Sequence, residues 1–330
     1  MQFTDILGQE QALHILCQAI SHGQVAHAYL FSGPEGVGKK KTALALAQYL
    51  NCAQPDSNLN SCDTCPSCLQ AISGNYPDLF LVEPDGTSIK IEQIRSLLNK
   101  LSLRSYAGGY QIVIIDQAHT MTEQAANCLL KTLEEPPANI VFCLVTAQSA
   151  MLPITIISRC QQLQFHPLAP EIIRQVLQTK YPEKQSRIGL VTALAKGSLH
   201  TAEEILNNDE FTGARTAFYD LLAQLSKLTP ADILLWCEQW DKNRKMVAVL
   251  LELAQIWYHD VMLLNTAKQQ ELLINQDYLS ALQQLKLTPK QALKILEACQ
   301  TAVRQLESNA TPRLTLSVLL LKIQTIFKEV

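Results

Sequence analysis

The stretch AHAYLFSGPEGVGKKKTALALAQYL, residues 26–50, runs from an apolar strand-like segment (28–32) through a glycine-rich turn into a helix-like segment, and it decides the fold. Strand, loop and helix in that order are the context a phosphate-binding loop needs. Gly33, Gly36 and Gly38 let successive backbone N–H groups converge on a phosphate, the helix start adds positive potential, and Lys39 can reach the outer phosphates. The plain alternative is a glycine-rich turn that holds nothing. The residue after Lys39 departs from the pattern. Lys40 stands where a hydroxyl normally binds Mg²⁺, and an ammonium group cannot coordinate a cation. Thr42 lies about 200° round the helix from Lys40, so it is a poor substitute. The expectation is a degenerate nucleotide cradle whose metal-assisted hydrolysis is impaired.

Working outward, four more strand-like runs share the first half of the chain with helical stretches: DLFLVEP at 78–84, QIVIID at 111–116, NIVFCLVT at 139–146 and QQLQF at 161–165. Strands this apolar, separated by helices, predict an α/β fold with a parallel sheet covered on both faces. After His166-Pro167 the β-branched runs stop. Segments such as PEIIRQVLQTKY and RIGLVTALAKG carry helical spacing, the second closed by Gly197, and the chain reads as helices to its end. The last helix places Leu316, Leu319, Leu320, Ile323 and Phe327 on one face.

A second acidic motif follows the third run. Asp116 ends IVIID at the carboxyl edge of the expected sheet, where P-loop enzymes hold Mg²⁺. The next residue should be a glutamate that polarises the attacking water, but it is Gln117, which cannot accept a proton at neutral pH. The alternative reading of Asp116 alone is a cap for the next helix.

Cys52, Cys62, Cys65 and Cys68 form C-x9-C-x2-C-x2-C on a short polar insert at about 51–70. Four thiolates at this spacing suit tetrahedral zinc, with an iron–sulfur cluster or free thiols as alternatives. Four filled positions leave no open coordination site, which makes the role structural. The other six cysteines (17, 128, 143, 160, 237 and 299) sit in apolar contexts and read as buried small side chains.

Length and composition set outer bounds. A chain of 330 residues, 48% hydrophobic, is expected to form two or three domains. The N-terminal MQFTDILGQE lacks the basic and apolar regions of a signal peptide, so the cytoplasm is the expected compartment. A formal net charge of −3 gives no bulk electrostatic reason to bind nucleic acid, and Lys39, Lys40 and Lys41 are too short a run to establish a DNA surface. His14, His22, His27, His119 and His166 lack a triad pattern, and Glu134-Glu135 reads as a solvated charged pair.

The ordered set of phosphate loop, four-cysteine insert, SIKIEQIRSL (88–97), AANCLLKTLEEPP (125–137), TIISRC (155–160) and NATPRLTLSVLLLKI (309–323) resembles the AAA+ clamp-loader subunits of bacterial replicases, most of all their non-motor branch. The resemblance runs through most of the chain. It implies a RecA-like ATPase core over residues 1–166, a three-helix lid over 167–208, and an all-α collar over 209–330 that packs into a five-subunit ring. It places Thr146-Ala147-Gln148 where motor subunits carry a sensor asparagine, and His200 where they carry a lid arginine. Arg159, by itself an exposed arginine or a salt-bridge partner, becomes by resemblance an arginine finger for the neighbouring motor subunit's active site.

Motor subunits of the gamma/tau type, a delta subunit, the sliding clamp and primed DNA are the implied partners. Zinc is the expected cofactor, with ATP or ADP binding left open and no independent ATPase activity expected. The alternatives are an active clamp-loader motor and a zinc-dependent nucleic-acid-binding module.

Overall fold

The structure, a computed structural model, describes residues 2–56, 60–102, 105–106, 108–266 and 272–328. It divides into two compact units, residues 1–173 with 196–201, and residues 174–195 with 202–330.

The first unit contains α1 (Glu10–Ser21), β1 (Ala28–Ser32), α2 (Lys39–Leu50), α3 (Pro66–Ile72), β2 (Leu79–Val82), α4 (Ile91–Leu101), β3 (Gln111–Ile115), α5 (Glu123–Glu134), β4 (Ile140–Thr146), α6 (Ile154–Ile157) and β5 (Gln161–Gln164). All five expected strands are present. They form one parallel sheet in the order β2-β3-β4-β1-β5, so β1 and its loop lie inside the sheet. Alternation along each strand splits the core between two faces. Leu30, Val113, Ile115, Phe142 and Leu144 pack with Ile94, Leu97, Leu129 and Leu133 of α4 and α5. Their neighbours Tyr29, Phe31, Ile112, Ile114 and Val145 pack with Leu16 and Leu46 of α1 and α2. This is the ATPase-like α/β core that the resemblance implies.

The remaining helices are α7 (Pro170–Lys180), α8 (Gln185–Leu194), α9 (Leu199–Asn207), α10 (Asp209–Gln224), α11 (Pro230–Glu238), α12 (Arg244–Thr266), α13 (Leu279–Gln284), α14 (Pro289–Glu307) and α15 (Pro312–Lys328). Among the described residues no strand interrupts them. The core of the second unit takes in Leu190 and Leu194 of α8 together with Phe218, Leu250, Trp257, Ile295, Leu316 and Leu320. By hydropathy α12 is long and apolar enough to cross a membrane. Here its Leu250, Leu251, Ala254, Trp257, Tyr258 and Val261 are buried in this helical core.

Asp260 on α12 is fully buried and ties down the segment that follows the helix. Its carboxylate accepts hydrogen bonds from the Asn275 backbone N–H (2.8 Å), the Asn275 amide (2.9 Å) and the Ile274 N–H (3.2 Å). Arg215 grips Asp277 with both terminal nitrogens at 2.8 Å and donates to Asn275 Oδ1 at 3.1 Å. Asp260→Ala would strand these buried donors, at an expected cost of about 3 kcal/mol. A fall of roughly 6–12 °C in the melting of the helical unit, followed by circular dichroism, is the expected reading.

Candidate functional site

The phosphate loop follows the C-terminal end of β1. Gly33, Gly36 and Gly38 all have positive φ (144°, 70° and 101°), and α2 begins directly after Gly38. Gly36 is doubly required. Its φ is left-handed, and a Cβ would lie 2.1 Å from Ser198 Oγ and 2.9 Å from His200 Cβ. His200 therefore lies against the loop, and its imidazole has neither the length nor the permanent charge of a guanidinium.

Lys39 is 6% exposed and turns back on its own loop, donating to the carbonyls of Gly33 (2.6 Å) and Pro34. Burial pulls its pKa below the usual lysine value, opposed by the charges of Glu35 and Asp116. Thr42 is fully buried and donates to Gly38 O at 3.0 Å, so its hydroxyl is spent inside the helix, in keeping with its angular position.

Lys40 leads to a residue that the sequence reading overlooked. Its Nζ lies 2.5 Å from Glu83 Oε1 and 3.2 Å from Asp116 Oδ2. Strands β2 and β3 pair in register at Val82 and Ile115, so Glu83 and Asp116, one residue beyond each, leave the sheet at the same edge. An acidic residue directly after a strand that neighbours β3 was the available signal. Burial acts to lower the Lys40 pKa, but the hydrogen bonds and charges of Glu83 and Asp116 outweigh it and hold the value above the ordinary one. Asp116 Oδ1 also accepts the Gln117 N–H at 2.9 Å, while the Gln117 side chain is exposed and its backbone is left-handed (φ 50°). His119 Nδ1 lies 3.1 Å from the Thr146 hydroxyl, which accepts the Gln148 N–H at 3.0 Å. The end of β4 is thus tied to the turn after β3 at the position expected to hold a sensor residue.

Arg159 follows the short helix α6 at the surface, 33% exposed. Its Nη1 donates to Thr155 O at 2.8 Å and its Nη2 lies 2.6 Å from Glu134 Oε1. Glu134 is therefore the partner of Arg159 rather than half of a solvated pair.

The four cysteines of the insert converge. The Sγ atoms of Cys52, Cys62, Cys65 and Cys68 all lie within 4.8 Å of one another, and among the described residues they are the one group of His, Cys, Asp and Glu side chains that can hold a metal ion. A tetrahedral site with Zn–S of 2.3 Å needs sulfurs about 3.8 Å apart, and Cys62 and Cys68 stand at 3.9 Å. The N–H groups of Cys62 and Cys65 point at Cys52 Sγ and Cys62 Sγ, each at 3.3 Å. Hydrogen bonds from Thr64 and Cys65 hold the Cys62 thiol down to about 6, whereas burial pushes Cys68 up to about 12. Asp63, in a left-handed conformation, anchors this knuckle by accepting from Gln48 (2.5 Å), Gln2 (3.1 Å) and Ser61 (3.2 Å). Of the other six cysteines, Cys143, Cys237 and Cys299 are buried as expected, whereas Cys17, Cys128 and Cys160 are partly exposed.

The chain is similar to known proteins along most of its length. Residues 8–169 match the model of a family described as DNA polymerase III, delta subunit. DNA polymerase III subunit delta′ of Bacillus subtilis is 32% identical over 323 residues, which are 96% of each chain. DNA polymerase III subunit tau of Salmonella typhimurium is 38% identical over 206 residues, which are 61% of this chain but 32% of that one. A gamma subunit-related protein of Thermotoga maritima aligns structurally over 96% of this chain and 99% of its own, at 21% identity and a TM-score of 0.48. The tau match stops well short of either full length, whereas the delta′ match runs through both units. The chain belongs to the delta-prime family of bacterial DNA polymerase III clamp-loader subunits.

Proposed function

We propose that this chain is a non-motor subunit of a sliding-clamp loader, which presents Arg159 to the ATP site of an adjacent gamma/tau-type motor and does not turn over ATP itself. The observation that carries this reading is the ion pair from Lys40 to Asp116. A lysine is bound to the carboxylate that hydrolysis would use to hold a metal, and Gln117 replaces the residue that would activate water. Arg159, by contrast, lies at the surface with one guanidinium nitrogen on an exposed carboxylate, from which a neighbouring phosphate can recruit it.

In this reading residues 1–166 are the ATPase-like core, 167–208 the lid and 209–330 the collar of a five-subunit ring completed by motor subunits and a delta subunit. The ring loads the clamp onto primed DNA in the cytoplasm. Zinc on Cys52, Cys62, Cys65 and Cys68 is structural. Gly33, Gly36, Gly38 and Lys39 keep the form of a cradle.

The test is magnesium-dependent ATP turnover by the purified chain, alone and assembled with motor subunits, delta subunit, clamp and primed DNA. The expected result is background turnover alone and stimulated turnover only in the assembly. Robust turnover by the chain alone, abolished by Lys39→Ala, would overturn the reading.

A further inference from the structure

The magnesium ion that a hydrolytic phosphate loop uses does not fit this loop. The hydroxyl ligand is missing at position 40, and the Thr42 hydroxyl is buried on Gly38 O. The two carboxylates at the adjacent strand ends, Asp116 and Glu83, instead share the Lys40 ammonium at 3.2 and 2.5 Å. Two carboxylates brought to one point repel unless a cation lies between them, and a divalent ion with oxygen ligands is the usual solution. Here the covalently attached ammonium stands in that place, and its raised pKa keeps it charged throughout the physiological range.

We propose that Lys40 is a built-in cation, which replaces the divalent ion between Asp116 and Glu83 and makes the loop indifferent to magnesium. The idea rests on the reading of this loop as non-hydrolytic, and it adds a role for Glu83 and a specific consequence of removing Lys40. The ammonium already fills the space between the carboxylates and offsets part of their charge, so a divalent ion would have to displace it to bind there. Once Lys40 is replaced by threonine, two uncompensated carboxylates and a hydroxyl remain, an oxygen donor set suited to Mg²⁺ or Mn²⁺.

The test reads metal binding rather than turnover, so its failure is distinct from a failure of the non-motor reading. Mn²⁺ is titrated into the zinc-loaded full chain and followed by electron paramagnetic resonance. The wild type and Lys40→Arg are expected to show no Mn²⁺ site at the loop. Lys40→Thr is expected to bind Mn²⁺ about tenfold or more tightly than the wild type. The gain is expected to vanish in Lys40→Thr combined with Glu83→Gln, which places it between the two strand ends. Circular dichroism establishes that each variant is folded. Two results would overturn the proposal: Mn²⁺ binding by the wild type that is lost in Asp116→Asn, or a folded Lys40→Thr chain that gains none.

Discussion

With Arg159 acting across the interface as proposed, Arg159→Ala is expected to lower ATP hydrolysis at the adjacent motor site by about 10³-fold or more, while the chain still folds and assembles. A guanidinium placed across an interface brings fixed charge and forked donors to the oxygens of the transferring phosphoryl group. Within this chain Arg159 is held by few contacts at the surface. Its contacts are one backbone carbonyl, the neighbouring Ser158 hydroxyl at 3.5 Å and the exposed Glu134 carboxylate. An ion pair of this exposure contributes at most about 1 kcal/mol. Glu134→Gln is therefore expected to change turnover by no more than about fivefold, and Arg159→Lys to recover only part of the lost rate. The measurement is single-turnover hydrolysis by the reconstituted loader with clamp and primed DNA, after gel filtration has shown equal assembly. Unchanged hydrolysis at every site in the Arg159→Ala assembly would leave Arg159 as a surface salt-bridge partner and nothing more.

The parts of the molecule that were legible in the sequence are those set by short-range rules. Every strand could be placed because apolar β-rich runs alternate with helical spacing, and the glycines of the loop announce a turn that other residues resist. The convergence of four cysteines follows from their spacing on a segment too polar to fold otherwise. The loss of a metal ligand at Lys40 was equally plain, because chemistry alone forbids an ammonium from that task. What Lys40 does instead was not legible. That depends on β2 pairing with β3 in a register that brings Glu83 beside Asp116, and pairing between strands some thirty residues apart is not written locally. The same holds for Glu134, which looks like one of two solvated glutamates until α5 and α6 pack and bring Arg159 across to it. The buried Asp260 was missed for a related reason. On a helix an aspartate reads as surface, and only the return of Ile274 and Asn275 supplies the donors that make its burial tolerable.

Removing metal from the cysteine insert is expected to unfold that insert and leave the sheet standing. Between Cys52 and Cys68 the described chain buries no large apolar side chain, and Leu69 and Ile72 of α3 are 55% and 57% exposed. With so little apolar burial, local order is expected to draw chiefly on bonds between a metal and the thiolates, for which isolated zinc peptides give about 10–16 kcal/mol. The β-sheet core has its own two apolar faces and does not draw on that energy. Chelation should therefore accelerate proteolysis within residues 52–72 by about a hundredfold or more, while the main melting transition moves by only a few degrees. Cys68→Ser should match chelation most closely, because its sulfur alone of the four belongs to a fully buried residue and its loss removes a ligand where water cannot substitute. Metal content by elemental analysis should fall from about one zinc per chain to background in that variant. If the stripped insert stays resistant to protease, the asparagine and aspartate contacts around Asp56, Asn60 and Asp63 hold it without metal, and the structural role assigned to the four cysteines fails. If the whole chain unfolds on chelation, the insert is a cornerstone of the core, and the Gln48 and Gln2 hydrogen bonds to Asp63 are the route by which its loss reaches α2 and the phosphate loop.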